Sequence, residues 1–146
     1  MKADQKTLTE VTKIFKGMFE AYKKQDLQGV LSFWAPDPDI FVLGSGEDEK
    51  AMGVEEFTEH LKRDWEQAQV LGIGVKNFSV STSVSTAWFS ADITFHCEAS
   101  EGDDFYMPLR LTGVMEKRYA RWLWVQMHLS VPNVNQESGQ SWPKPQ

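Results

Sequence analysis

Beyond position 70 the chain carries four long β-prone runs, Val70–Val80, Thr86–Ala99, Phe105–Arg118 and Trp122–Val131. Their connections, Ser81–Ser85, Glu101–Asp104 and Tyr119–Arg121, are far shorter than the roughly dozen residues a parallel crossover needs. Successive strands therefore pair antiparallel as a meander, and whatever precedes them has to pack on that sheet.

What precedes them is mostly helical. Leu8, Val11, Phe15, Met18 and Tyr22 recur at spacings of three and four, with Ile14 and Phe19 widening the stripe. This predicts an amphipathic helix from about Asp4 to Lys24, solvated along Lys13, Lys16, Glu20 and Lys23. Asp26 is placed to cap a short helix, Leu27–Trp34, which Pro36 and Pro38 stop. Asp39–Leu43 reads as a short strand, Gly44-Ser45-Gly46 with Glu47-Asp48-Glu49 as a solvated acidic turn, and Lys50–Gly53 as a brief returning strand. Val54, Phe57, Leu61, Trp65 and Ala68 mark a third helix, with Glu55 and Glu56 favourable in its first turn. Phe41, Phe57 and Tyr22 are assigned to the core. Residues 1–132 form one domain on this reading, and the polar, proline-containing stretch 133–146 is a flexible tail that leaves Trp142 in solvent.

Helices gathered on one side of an antiparallel sheet define an α+β fold. Three helices cannot cover both faces of six strands. A curved sheet wrapped around them would leave a pocket inside and an outer face needing a partner, so a homodimer is expected. Of the 146 residues, 41% are apolar and 25% charged, as in a globular domain. The net charge of −6 argues against nucleic acid as a partner. There is no apolar run long enough for a membrane span, and Met1–Lys6 lacks a signal-peptide apolar region, so a cytoplasmic location is expected. Cys97 is the single cysteine, and three scattered histidines give no metal-ligand spacing, so neither a disulfide, a metal nor another cofactor is expected.

The last strand, Arg121-Trp-Leu-Trp-Val-Gln-Met-His-Leu-Ser-Val-Pro132, has a two-sided pattern. Strict alternation puts Trp122, Trp124, Gln126, His128 and Ser130 on one face and Leu123, Val125, Met127, Leu129 and Val131 on the other. The mixed face suits a cavity wall for an amphipathic molecule, and the aliphatic face then points outward.

These segments carry a family resemblance. Asp39-Ile-Phe-Val-Leu-Gly with its acidic turn, Gly53-Val-Glu-Glu-Phe opening helix three, Thr86-Ala-Trp starting a long strand, Arg110-Leu-Thr, and Trp122-Leu-Trp-Val-Gln-Met-His-Leu-Ser occur in an order that resembles the SnoaL-like group of the nuclear transport factor 2-like superfamily. That group also includes the association domain of calcium/calmodulin-dependent protein kinase. The resemblance spans roughly residues 5–132. It implies a cone-shaped fold in which a curved mixed, mostly antiparallel sheet wraps around three helices. Family members often carry a second histidine two residues before the final one. Gln126 stands there instead, which weakens any role needing two imidazoles.

Several side chains could do chemistry in such a cone. His128 could serve as acid, base or donor to a ligand. Asp92, mid-strand between Ala91 and Ile93, could be a general base if its face, shared with His96, lines the cavity. Arg110, on a face with Tyr106, could hold a ligand carboxylate bidentately. Trp34, Trp124 and Gln126 would complete the wall, Trp34 at the mouth of the cone. The plain alternative is structural in each case: a satisfied histidine, a solvated aspartate, an ion pair, core indoles. The preferred function is binding of a small organic molecule, anionic or aromatic. The alternatives are a cofactor-independent isomerase, dehydratase or cyclase using Asp92 or His128 as base, and an assembly module.

Overall fold

Asp4 begins the first helix, its carboxylate accepting from the Thr7 N–H at 2.8 Å, and Asp26 begins the second in the same way, accepting from Gly29 at 3.0 Å. Each side chain satisfies an N–H that a helix start leaves without a partner. A computed structural model describes residues 1–144, and within these residues the chain forms three helices and six strands. The helices are α1 (Gln5–Lys23), α2 (Leu27–Ser32) and α3 (Gly53–Gln67). The strands are β1 (Phe41–Leu43), β2 (Lys50–Met52), β3 (Ala68–Ser83), β4 (Thr86–Ala99), β5 (Asp104–Arg118) and β6 (Arg121–Ser130). Gly53 opens α3 with φ +81°, and a Cβ there would lie 3.2 Å from the Pro38 carbonyl oxygen, so both backbone angle and space call for glycine. The Glu56 carboxylate reaches back to accept from the Met52 N–H at 2.7 Å.

The strands form one sheet in the order β2-β1-β6-β5-β4-β3. The β3–β4–β5–β6 meander is antiparallel, β1 joins β6 in parallel, and β2 closes antiparallel on β1, so the sheet is mixed. Ahead of β1, the segment around Trp34 follows the same edge of β6: Ala35 N–H donates to the Trp124 carbonyl and Trp124 N–H to that of Phe33, both at 2.9 Å. At the far edge, Lys2 pairs with Ser81 of β3.

Three register breaks curve this sheet. In β3, Leu71 is one extra residue against β4, and a second break between Lys76 and Ser79 includes Asn77 at φ 55°. In β6, Gln126 faces Val114 while Trp124 faces Met115, so Val125 is the extra residue. Such bulges sharpen twist and bend a strand. The sheet coils around the helices as a cone, the nuclear transport factor 2-like α+β architecture.

Ala87, Phe89, Ala91, Ile93, Phe95 and Cys97 of β4 alternate inward and are buried, against exposed Trp88, Ser90, Asp92, Thr94 and Glu98. The core centres on Trp124, stacked on Trp34 with centroids 5.5 Å apart and met edge-on by Phe89 at 4.9 Å. Phe15 of α1 packs on the same indole at 5.7 Å. Gly113 makes this arrangement possible: a Cβ there would lie 2.6 Å from the Phe89 ring and 2.8 Å from that of Trp124. Residues 131–144 form neither helix nor strand, and Trp142 among them is exposed. The last two positions of the expected tail, 145 and 146, lie outside the described residues. No helix among the described residues is long and apolar enough to cross a membrane.

Candidate functional site

The bulge at Val125 overturns the expected facing of β6. Trp122 and Trp124 point inward, but Gln126, His128 and Ser130 pair with outward-facing Val114, Thr112 and Arg110. Met127 and Leu129 take the inward positions instead. One extra residue reverses every side chain beyond it, because strand periodicity is two. His128, Asp92, Arg110, His96, Tyr106 and Gln126 therefore stand on the outer face of the sheet, and the expectation that they line the cone is corrected. His128 is exposed there beside Leu43 of β1. Asp92 accepts from the Asn77 amide at 2.7 Å, and Arg110 donates to the Ser130 hydroxyl at 3.3 Å. Asp92 and Arg110 face each other across the β4–β5 ladder yet form no ion pair among the described residues. His96 stacks flat on Tyr106 at 4.5 Å and lies 3.3 Å from the Asp104 carboxylate. Trp34 and Trp124 do point inward, but they are core: 3% and 0% exposed, with neither Nε1 hydrogen-bonded.

What opens inside the cone is a cleft between α1, α3, the β1–β2 turn and the inner face of β4–β6. It has a deep lobe of about 60 Å³ and an outer lobe of about 360 Å³, and both are lined by Tyr22, Glu49, Asp64, Phe95 and Leu129. Helical periodicity supplies much of the wall: Phe57, His60, Leu61 and Asp64 lie three or four residues apart on one face of α3. Met18, Phe19 and Tyr22 descend from α1. Glu49 arrives from the β1–β2 turn, and Cys97 and Phe105 border the outer lobe.

The polar centre of the cleft is a pair. The Tyr22 hydroxyl donates to Asp64 Oδ2 at 2.9 Å, and Trp65 Nε1–H donates to the Tyr22 carbonyl at 3.1 Å. The Tyr22 ring lies against Phe95, with centroids 5.9 Å apart. Burial pushes the Asp64 carboxyl above the usual aspartate range; the Tyr22 hydrogen bond opposes this, and the Glu49 charge adds to it. Burial, with the Asp64 carboxylate beside it, likewise raises the Tyr22 phenol. At the rim, Arg63 bonds Asp48 at 2.8 Å and lies 3.8 Å from Glu49, holding the Asp48 carboxyl below its usual range. Burial also raises the Cys97 thiol, which disfavours the thiolate. Among the described residues no three His, Cys, Asp or Glu side chains converge to hold a metal ion.

Sequence reasoning missed these residues. Tyr22 belongs to the apolar stripe of α1 and reads as core. Asp64 and His60 fell on what reads as the polar side of α3, and Glu49 in a solvated turn. A carboxylate four residues beyond His60, on the flank of the Phe57–Leu61 stripe, was the available signal.

The cleft is thus aromatic and aliphatic around one polar pair. A SnoaL-like domain family model matches residues 11–134, and the chain belongs to that family. Solved structures agree on the fold. A ketosteroid isomerase-like protein from Erwinia carotovora atroseptica has 16% identity and a TM-score of 0.75, over 89% of this chain and 99% of that one. A Novosphingobium aromaticivorans protein provisionally named scytalone dehydratase has 9% identity and a TM-score of 0.76, over 87% and 85%. A Xanthomonas campestris protein provisionally named a calcium/calmodulin-dependent protein kinase II association domain has 20% identity and a TM-score of 0.70, over 91% and 95%. No curated protein matches the chain.

Proposed function

We propose that the protein binds a small amphipathic organic molecule in the cone cleft. The carrying observation is the Tyr22–Asp64 pair: a carboxylate and a phenol hydrogen-bonded to each other at 2.9 Å on the wall of an otherwise aromatic and aliphatic cleft. A purely structural core would have little use for a carboxylate that burial destabilises. The test is a ligand screen followed by NMR. Binders should move the resonances of Tyr22, Trp65 and Phe95, and Leu129→Trp, which fills the cleft, should abolish binding. Binders that leave these resonances in place and tolerate the filled cleft would sink the proposal.

Proton-transfer catalysis is the second reading, favoured by a raised carboxyl beside a phenol and by relatives named for isomerase and dehydratase chemistry. On this reading Asp64, rather than Asp92 or His128, is the base, and Tyr22 orients it. Asp64→Asn should then lower kcat far more than it weakens binding of the substrate. We also propose that the outer sheet face, with Trp88 and Tyr106 exposed on neighbouring strands, pairs with a second copy of the chain.

A further inference from the structure

The charge around the cleft identifies the class of ligand, on the reading that the cleft is a binding site. Among the described residues facing its two lobes are the carboxylates Glu49 and Asp64 and the imidazole of His60, with no lysine and no arginine. The nearest guanidinium, Arg63, is turned outward onto Asp48 at 2.8 Å and reaches Glu49 only at 3.8 Å. Asp64 accepts one bond from Tyr22 at Oδ2. Its raised carboxyl reflects burial and the Glu49 charge, which Arg63 and His60 only partly offset. Around these carboxylates stand Phe19, Tyr22, Phe57, Phe95 and Phe105. Aromatic faces are negative and attract cations, most strongly where water is excluded.

We propose that the cleft selects an organic cation: a protonated amine carried on an apolar body. The ammonium sits between Asp64 and Glu49, and the body runs over Phe95 towards Met127 and Leu129. An ammonium there supplies the positive charge that the walls lack and donates to the carboxylate oxygens that Tyr22 leaves open. A carboxylate of the same shape would instead face two like charges. The expected carboxylate anchor, Arg110, is on the opposite face of the sheet and cannot reach this ligand.

The experiment compares three probes of one shape on the full chain near neutral pH: 2-phenylethylamine, 2-phenylethanol and 3-phenylpropionate. Affinity is measured by calorimetry and location by the Tyr22, Trp65 and Phe95 resonances. The amine should bind at least tenfold more tightly than the alcohol, with the carboxylate weakest. Asp64→Asn should lower amine affinity about tenfold and so narrow or abolish the preference for the amine over the alcohol, and Glu49→Gln should act in the same direction should the first variant fold poorly. Alcohol or carboxylate binding in the cleft at least as tightly as the amine overturns the cation assignment but leaves the binding cleft standing. Failure of all three to move the cleft resonances overturns both.

Discussion

The Tyr22 hydroxyl and the Asp64 carboxylate, 42 positions apart in the chain, meet at 2.9 Å and tie the end of α1 to α3. The bond is partly buried and charge-assisted whenever Asp64 is ionised. Tyr22→Phe should therefore cost about 1.5 kcal/mol, the lower end for a hydrogen bond to a charged group. It should also raise the Asp64 pKa further, because the hydrogen bond is the largest influence lowering it. Chemical denaturation measures the first effect and carboxyl-carbon NMR titration the second. A fall in the Asp64 pKa would contradict the assigned role of the phenol.

Asp64 makes stability depend on pH in a defined direction. Its folded pKa lies above its unfolded one, chiefly through burial. Its contribution is fully present below the unfolded value, about 3.9, and is lost as pH rises through the elevated folded value. Asn has no charge to lose. The melting temperature of Asp64→Asn relative to the parent should therefore rise as pH climbs above about 4 and level off beyond the elevated folded pKa, a comparison that cancels the other titrating groups. A difference that stays flat as pH rises from about 4 would show that the carboxyl is not destabilised by its surroundings.

Gly113 allows no side chain. Phe89 and Trp124 are close-packed around it, so Gly113→Ala should destabilise the fold by about 1–3 kcal/mol through overpacking. Urea denaturation would measure this. An effect near zero would mean that the aromatic cluster yields more readily than its packing implies.

The outer face should be separable from the cleft. Asp92→Asn, Arg110→Ala and His128→Gln each alter a group on the convex side and should leave ligand affinity in the cleft within twofold and stability within about 0.5 kcal/mol. Any of the three that abolished cleft binding would show communication through the sheet. Should a second copy pair there, Trp88→Glu should shift the sedimentation coefficient from dimer to monomer, while a parent chain that is already monomeric at micromolar concentration removes the pairing proposal.

The architecture was legible because its signals are local. Asp26 marks a helix start by its own side chain, and β4 runs from Thr86 to Ala99, as its alternation indicates. The site was not legible, because its signals are pairings between distant elements. Nothing within Trp124-Val125-Gln126 announces a bulge: no glycine or proline interrupts it. The extra residue is defined only against β5 on one side and the Phe33–Ala35 segment on the other. Tyr22 follows Met18 by four residues and so looks like one more core position. Only the approach of α3 gives its hydroxyl a carboxylate, and only the β1–β2 turn brings Glu49 to the same space.

Val125 also governs where this chain can change length. Deleting it would take out the bulge and its local bend without turning a face: Gln126 would follow Trp124 directly and stay outward with His128, while Met127 and Leu129 stay inward. At the tip of the β5–β6 hairpin, where Tyr119 and Ala120 are exposed, the same loss or gain shifts no face of the sheet if the register beyond it holds. One-residue length changes in related chains should therefore fall at Val125 or at that tip and avoid Gln126–Ser130, where one residue more or fewer reverses every facing beyond it. An engineered label or loop graft belongs at the tip as well.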